Sequence, residues 1–229
     1  MFVSINPTTE DKLESFDFIT NERVLEVINS SQSAYEKWRM ASIGFRADCI
    51  RQIGTYLFEN KEELSELITT EIGKPLKQSV SEIEKCAVCC THFAGYAEEY
   101  LSSEEKLSST GQNAKLIYQP LGVIYGIMPW NFPLWQVVRF AIPTLLAGNT
   151  VIVKHAPNSG IVASRIESIF SEFLPENVYQ NVFSDVTQTE LFVSHPGVKG
   201  VSLTGSNAAG KAVGEMVGKY MKRLSLIHI

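Results

Sequence analysis

Three short stretches of this sequence hold residues that can do chemistry. Asn131 stands inside Met128-Pro129-Trp130-Asn131-Phe132-Pro133, Lys154 opens Lys154-His155-Ala156-Pro157, and Thr204-Gly205-Ser206 is followed by Gly210. An amide held rigidly among aromatic rings and prolines is what a donor to a developing oxyanion requires. It is equally a turn residue, because each proline pushes the residue before it toward extended geometry. Lys154 closes the apolar run Val151-Ile152-Val153, either as a cation facing a ligand or as a surface lysine at a strand end. Thr204-Gly205-Ser206 suits a pyrophosphate cradle at a helix N-terminus, and it also reads as a glycine turn with a serine N-cap. The stretch from Gly205 to Ala212 approaches a nucleotide triphosphate P-loop. That motif needs Ser or Thr after its lysine to bind magnesium, and Lys211 is followed by Ala212.

The four cysteines are Cys49, Cys86, Cys89 and Cys90. Three share one helical segment, where close neighbours do not easily form a disulfide framework. Cys86 and Cys90 are i, i+4 neighbours, but no His or carboxylate cluster completes a four-ligand set. Buried, reduced structural thiols and no metal site are expected.

The elements that must position these residues fall into two regions. Cys49, Ile50, Ile53 and Leu57 recur at helical spacing after Phe45, and Leu64, Leu67, Ile68 and Ile72 share a second face, with Asn60 and Glu63 as a capping pair. Leu76, Val80, Ile83, Ala87, Cys90, Ala94, Ala97 and Leu101 predict one long amphipathic helix. Ser102 to Glu105 reads as a polar connection to a strand over 114–119 that extends outside the main core. From Gly122 the rhythm alternates: strand 122–128, helix from Pro133, strand 150–154, helix 161–173, strand 178–183, short helix near 187–194, strand 199–203, helix 206–221. That pattern predicts a parallel α/β sheet. Ligands of such sheets bind outside the carboxyl ends of the strands, and all three chemical stretches follow strands. They suit a phosphate-bearing ligand beside a polar reaction centre.

Composition narrows the partners. The 229 residues are 45% hydrophobic and 20% charged, with a formal net charge of −5 and a pI near 5.5. This is globular material without the clustered cations that nucleic acid or anionic membranes require. No run approaches the ~18 consecutive apolar residues of a membrane span. The opening Met1-Phe2-Val3-Ser4 lacks a secretory n-region and h-region, so a cytosolic location is expected.

The order and spacing of Pro129-Trp130-Asn131-Phe132-Pro133, Ala147-Gly148-Asn149, Val153-Lys154-His155-Ala156-Pro157 and Leu203-Thr204-Gly205-Ser206 resemble the NAD(P)-dependent aldehyde dehydrogenase superfamily. Ile5-Asn6-Pro7, Glu71-Ile72-Gly73-Lys74-Pro75 and Tyr118-Gln119-Pro120-Leu121-Gly122 extend the resemblance over essentially the whole chain. It is greatest to the bacterial succinate-semialdehyde dehydrogenase branch. The resemblance implies that Asn131 is the oxyanion amide and Lys154 holds the adenosine ribose. It makes Met128, Pro129 and Trp130 the wall beside the cofactor, NAD or NADP, and Gly205 and Ser206 the pyrophosphate turn. Thr204, Ala156 and Pro157 join the cofactor-binding positions. Arg139, eight residues after Asn131, matches the arginine that binds the far carboxylate of a semialdehyde. The reaction implied is thiohemiacetal formation, hydride transfer and thioester hydrolysis.

Three departures qualify that picture. None of the four cysteines has the Gly-Gln-x-Cys context of the nucleophile. Where the family carries the general-base Glu in Leu-Glu-Leu-Gly-Gly, this chain reads Leu224-Ser225-Leu226-Ile227-His228-Ile229, which reads as a truncated or frame-shifted end. Pro157 replaces the Glu that in many NAD-specific members binds the ribose hydroxyls and would repel a 2′-phosphate. The expected architecture is α/β, N-terminal helices packed on an incomplete Rossmann-like parallel sheet. Residues 1–113 form the N-terminal helical segment, 114–120 a bridging or oligomerisation strand, and 121–229 a cofactor-binding domain that stops before the catalytic domain. The expected partner is a small-molecule aldehyde, with no nucleic acid or membrane, and the complete enzyme is expected to be a homo-oligomer. The rival reading is a non-catalytic nucleotide-binding or dimerisation module.

Overall fold

In the computed structural model, which describes residues 1–107 and 113–228, the chain opens with an antiparallel hairpin of β1 (Phe2–Ile5) and β2 (Lys12–Phe16). Four helices follow. Thr20 caps α1 (Asn21–Trp38) and Ser42 caps α2 (Ile43–Glu59), each accepting a backbone N–H three residues on. Gly73, at φ 75°, ends α3 (Lys61–Ile72). A Cβ there would lie 2.6 Å from Pro7 Cγ, so the left-handed turn and the close approach both demand glycine. The long helix α4 (Leu76–Leu101) buries Ile83, Ala87, Cys90, Ala94 and Ala97, the face its spacing predicted, while Leu76 is exposed.

Three expectations for the first half are corrected. Asn60 and Glu63 do not form a capping pair; the Asn60 side-chain amide donates to Tyr56 O at 2.9 Å and closes α2. Asn60 is the sole residue between α2 and α3, and with φ −107° and ψ 21° it cannot adopt the extended geometry of an N-cap. The polar stretch after Leu101 is not a mere connection, because β3 (Glu104–Leu107) pairs antiparallel with β4 (Asn113–Leu116), a strand shorter than expected. Every residue of β4 is exposed, so this strand has no buried face to impose alternation on its sequence. With β1, β2 and β3 present, residues 1–113 are not helical throughout. Residues 108–112, inside the span read as connection and strand approach, and Ile229 lie outside the described residues.

The second half alternates as expected: β5 (Val123–Ile127), α5 (Pro133–Leu146), β6 (Thr150–Lys154), α6 (Gly160–Phe173), β7 (Tyr179–Val182), α7 (Thr189–Ser194), β8 (Val198–Gly205), α8 (Asn207–Lys219) and β9 (Arg223–His228). The five strands are parallel in the order β7-β6-β5-β8-β9. Val151 and Val153 enter a core with α2, α4, α5 and α6 on one side, whereas Ile152 enters a second core with α1, α7 and α8 on the other. Two buried faces explain why Val151, Ile152 and Val153 run without polar alternation inside β6. The chain reverses direction across the sheet between β5 and β8, which opens a crevice at their carboxyl ends.

Cys49 on α2 and Cys86 and Cys90 on α4 are buried and unpaired, and Cys89 is half-buried. Burial pushes all four thiols upward in pKa, which suppresses the thiolate. Among the described residues no helix is long and apolar enough to cross a membrane.

Candidate active site

The turn that leaves β5 begins with Met128, which is buried, and passes through Trp130 and Phe132, which are 51% and 41% exposed. Met128 N donates to Lys154 O at 2.9 Å, so the loops after β5 and β6 are bonded side by side. Pro133 occupies the first turn of α5, where a missing N–H costs nothing. Asn131 is half-buried, and its Oδ1 is buried without a hydrogen-bond partner among the described residues.

Lys154, at the end of β6, is 6% exposed rather than a surface lysine. Its Nζ donates to His155 O at 3.4 Å and lies 5.5 Å from the Phe2 ring centre. Burial lowers its pKa, and the Asp185 carboxylate opposes that. His155 is 1% exposed, and neither ring nitrogen has a hydrogen-bond partner among the described residues. Burial and then the Lys154 charge hold its pKa down to about 3. Ala156 is half-buried and Pro157 exposed beside them.

Across the crevice, β8 ends in Thr204, which is buried, and Gly205. Ser206 caps α8, its Oγ accepting from Ala209 N at 3.2 Å. The amides of Asn207 and Ala208 have no acceptor among the described residues, so the helix N-terminus is free to bind an anion. A Cβ at Gly205 would meet Leu203 Cδ1 at 3.5 Å and Ala209 Cβ at 3.7 Å, ordinary contacts. The fold itself therefore does not need glycine there. Together with Lys154 across the crevice, this donor set fits a pyrophosphate-bearing nucleotide.

Arg139 is half-buried on α5, and its Nη2 donates to Thr204 Oγ1 at 2.8 Å. Burial lowers its pKa. It lines a cavity of about 460 Å³ with Ile124, Phe140, Thr204 and Ser225. Asn131 is not part of that lining, so the structure joins Arg139 to the end of β8 rather than to the Asn131 turn.

Sequence reasoning missed the residues that hold these loops. Asn149 Oδ1 accepts from Leu121 N at 2.6 Å and Gly122 N at 3.1 Å, and its Nδ2 donates to Thr144 O at 3.0 Å, so one side chain ties the start of β5 to the end of α5. Glu71, 3% exposed on α3, accepts from Ile161 N and Val162 N, both at 2.8 Å, and caps α6; Ser4 Oγ also donates to it. Glu82 does the same for α5. Both acids lie in or just beyond the Glu71-to-Pro75 stretch, which stood out only as part of a resemblance.

The aldehyde dehydrogenase family profile matches residues 1–227. A succinate-semialdehyde dehydrogenase of Deinococcus radiodurans, named for NADP(+), is 34% identical over 98% of this chain and 47% of its own length. The Escherichia coli succinate semialdehyde dehydrogenase Sad, named for NAD(P)+, is 36% identical over 98% of this chain and 48% of its own. The solved structure of succinic semialdehyde dehydrogenase from Streptococcus pyogenes in complex with NADP+ superposes with a TM-score of 0.96 at 28% identity, covering 100% of this chain and 50% of that one. The chain spans about half the length of the curated relatives it matches. A match of this extent, on an α/β fold whose strand-end loops carry the expected residues, establishes that the chain belongs to the aldehyde dehydrogenase family.

Proposed function

We propose that this chain is the cofactor-binding half of an enzyme that oxidises an aldehyde, succinate semialdehyde, to its carboxylate with NAD(P)+. The observation that carries the reading is the grouping of the Lys154 loop, the free N-terminus of α8 and the Asn131 turn at the carboxyl edge of one parallel sheet. In this reading Lys154, Ala156 and Pro157 receive the adenosine ribose. Thr204, Gly205 and Ser206 bring the α8 amides to the pyrophosphate, and Met128, Pro129 and Trp130 wall the cofactor. The bound nicotinamide supplies the hydride acceptor. Asn131 donates its side-chain N–H to the oxygen of the tetrahedral adduct, and Arg139 receives the distal carboxylate of the semialdehyde.

NADP+ is accepted as well as NAD+, because Pro157 brings no carboxylate to oppose a 2′-phosphate and Lys154 remains as a cation. Relatives named for NADP(+) and NAD(P)+ support this. Residues 121–229 form the cofactor-binding domain of the proposal, residues 1–113 pack on it, and the strand within 114–120 takes part in a homo-oligomer. The exposed Leu116, Ile117 and Tyr118 support that assignment. The enzyme works in the cytoplasm.

The test joins residues 1–229 to the C-terminal half of the E. coli relative and follows NADPH formation with succinate semialdehyde. Activity is expected, and Arg139→Leu is expected to cost about 2–4 kcal/mol of transition-state binding for that substrate. An uncharged aldehyde of similar length should lose little. Equal losses on both would make Arg139 structural and return the substrate to aldehydes in general.

A further inference from the structure

The turn that carries Asn131 has no cap of its own. Phe132, at the cap position of α5, has φ −139° and ψ 74° and offers no side-chain hydrogen bond. The free amides of the first turn, Leu134 N and Trp135 N, donate to Glu82 Oε1 at 3.0 and 2.9 Å, and Glu82 reaches them from α4, 52 residues earlier in the chain. The second oxygen of Glu82 takes Lys74 Nζ at 2.5 Å, with the two side chains 0% and 6% exposed. Lys74 Nζ lies 3.5 Å from the centre of the Phe132 ring and donates to Asn131 O at 3.5 Å. One buried ion pair therefore touches Asn131, Phe132, Leu134 and Trp135.

Stability alone does not account for this arrangement. A buried ion pair is often no better for stability than apolar residues of the same volume, and a neutral Ser or Asn at the cap position would satisfy one amide locally. The pair does something a local cap cannot: it fixes the main-chain carbonyl of Asn131 and the ring of Phe132 from outside the turn. The Oδ1 of Asn131 is buried without a hydrogen-bond partner among the described residues, so that oxygen does not tether the side chain and the hold on its backbone bears on where the amide points.

We propose that Lys74 and Glu82 are positioning residues that aim the Asn131 side-chain amide by clamping the turn from both sides; the oxyanion role of that amide rests on the function proposed above. Glu71 is an internal control, because it caps α6 with the same chemistry and touches neither Asn131 nor α5.

The test has two arms. In the 15N-labelled 229-residue chain, Glu82→Gln and the charge-free double variant Lys74→Met/Glu82→Gln should shift the Asn131 side-chain NH2 signals. Exchange of the Leu134 and Trp135 amides should speed up by ~10-fold or more, a change that follows from losing charge-assisted bonds. Glu71→Gln should move Ile161 and Val162 instead. The double variant leaves no unpaired buried charge, so it keeps the comparison usable where a single variant unfolds. Unmoved Asn131 side-chain signals in the folded double variant would overturn the proposal. In the joined full-length enzyme, the same double variant should lower kcat by roughly 10- to 100-fold, below the loss seen when an oxyanion donor is removed outright, with KM little changed. The loss should vanish in an Asn131→Ala background; a loss that persists there in full would mean a merely structural pair. An assembled enzyme that oxidises no aldehyde, while the Asn131 signals shift as described, would remove the proposed function and leave the positioning intact.

Discussion

Replacing His155 by Phe tests the electrostatics of the cofactor edge. The imidazole is 1% exposed and neither nitrogen has a partner among the described residues, so burial and the neighbouring Lys154 charge hold its pKa at about 3, against an ordinary 6.5. Between those values the unfolded chain binds a proton that the folded chain refuses. Stability contributed by the neutral form is therefore intact above 6.5 and is lost as pH falls toward 3. The slope is about 1.4 kcal/mol per pH unit, so at about pH 5 the loss is roughly 2 kcal/mol. Phe keeps the ring shape, removes two unsatisfied nitrogens and cannot titrate. The variant should match or exceed the parent by about 1 kcal/mol near neutral pH, and its lead should grow by roughly 2 kcal/mol at about pH 5. Urea unfolding followed by tryptophan fluorescence at the two pH values measures this difference. Carboxylates with lowered pKa, such as those of Asp185 and Glu190, titrate identically in both proteins and cancel. Stability curves that stay parallel from neutral to about pH 5 would refute the reasoning, since His155 would then be charging freely in the fold.

Asn149→Ala should destabilise the chain by about 2–4 kcal/mol, because it strands the amides of Leu121 and Gly122 beside a buried position, and thermal unfolding will read this directly. Gly205→Ala should leave stability within about 0.5 kcal/mol, since its Cβ meets only ordinary contacts; NADP+ titrated against the variant should nevertheless bind at least ~10-fold more weakly if the bare backbone is the pyrophosphate cradle. Ser206→Ala should cost about 1 kcal/mol through the lost bond to Ala209 N, measurable by denaturant midpoint. The 229-residue chain by itself should form no NAD(P)H from any aldehyde, because its cysteines lie on α2 and α4 with thiols raised by burial; turnover above a protein-free blank would contradict that.

Local physics made part of this protein legible in advance. A helix buries one stripe, so the spacing of Ile50, Ile53 and Leu57, and of Ile83, Ala87, Cys90 and Ala94, marked α2 and α4 before any contact was known. Strands covered on both faces carry continuous apolar runs, and their alternation with helices fixed a parallel sheet whose carboxyl edge gathers Asn131, Lys154 and Gly205. The β1–β2 hairpin and β3 left no such mark, whereas β4 overlaps the strand read over 114–119. The β3–β4 ribbon exposes β4 along its whole length, and an exposed strand needs no hydrophobic alternation.

Tertiary structure alone decided who satisfies the N-termini of α5 and α6. Local rules assigned a cap to Asn60, which the tight α2–α3 junction prevents, while α5 and α6 take theirs from Glu82 and Glu71, 52 and 91 residues away. Arg139 likewise meets Thr204 from 65 residues along the chain. A buried backbone donor must find an acceptor, but the side chain that supplies it is whichever one packing brings within 3 Å, and that is a property of the assembled helices rather than of any stretch of sequence.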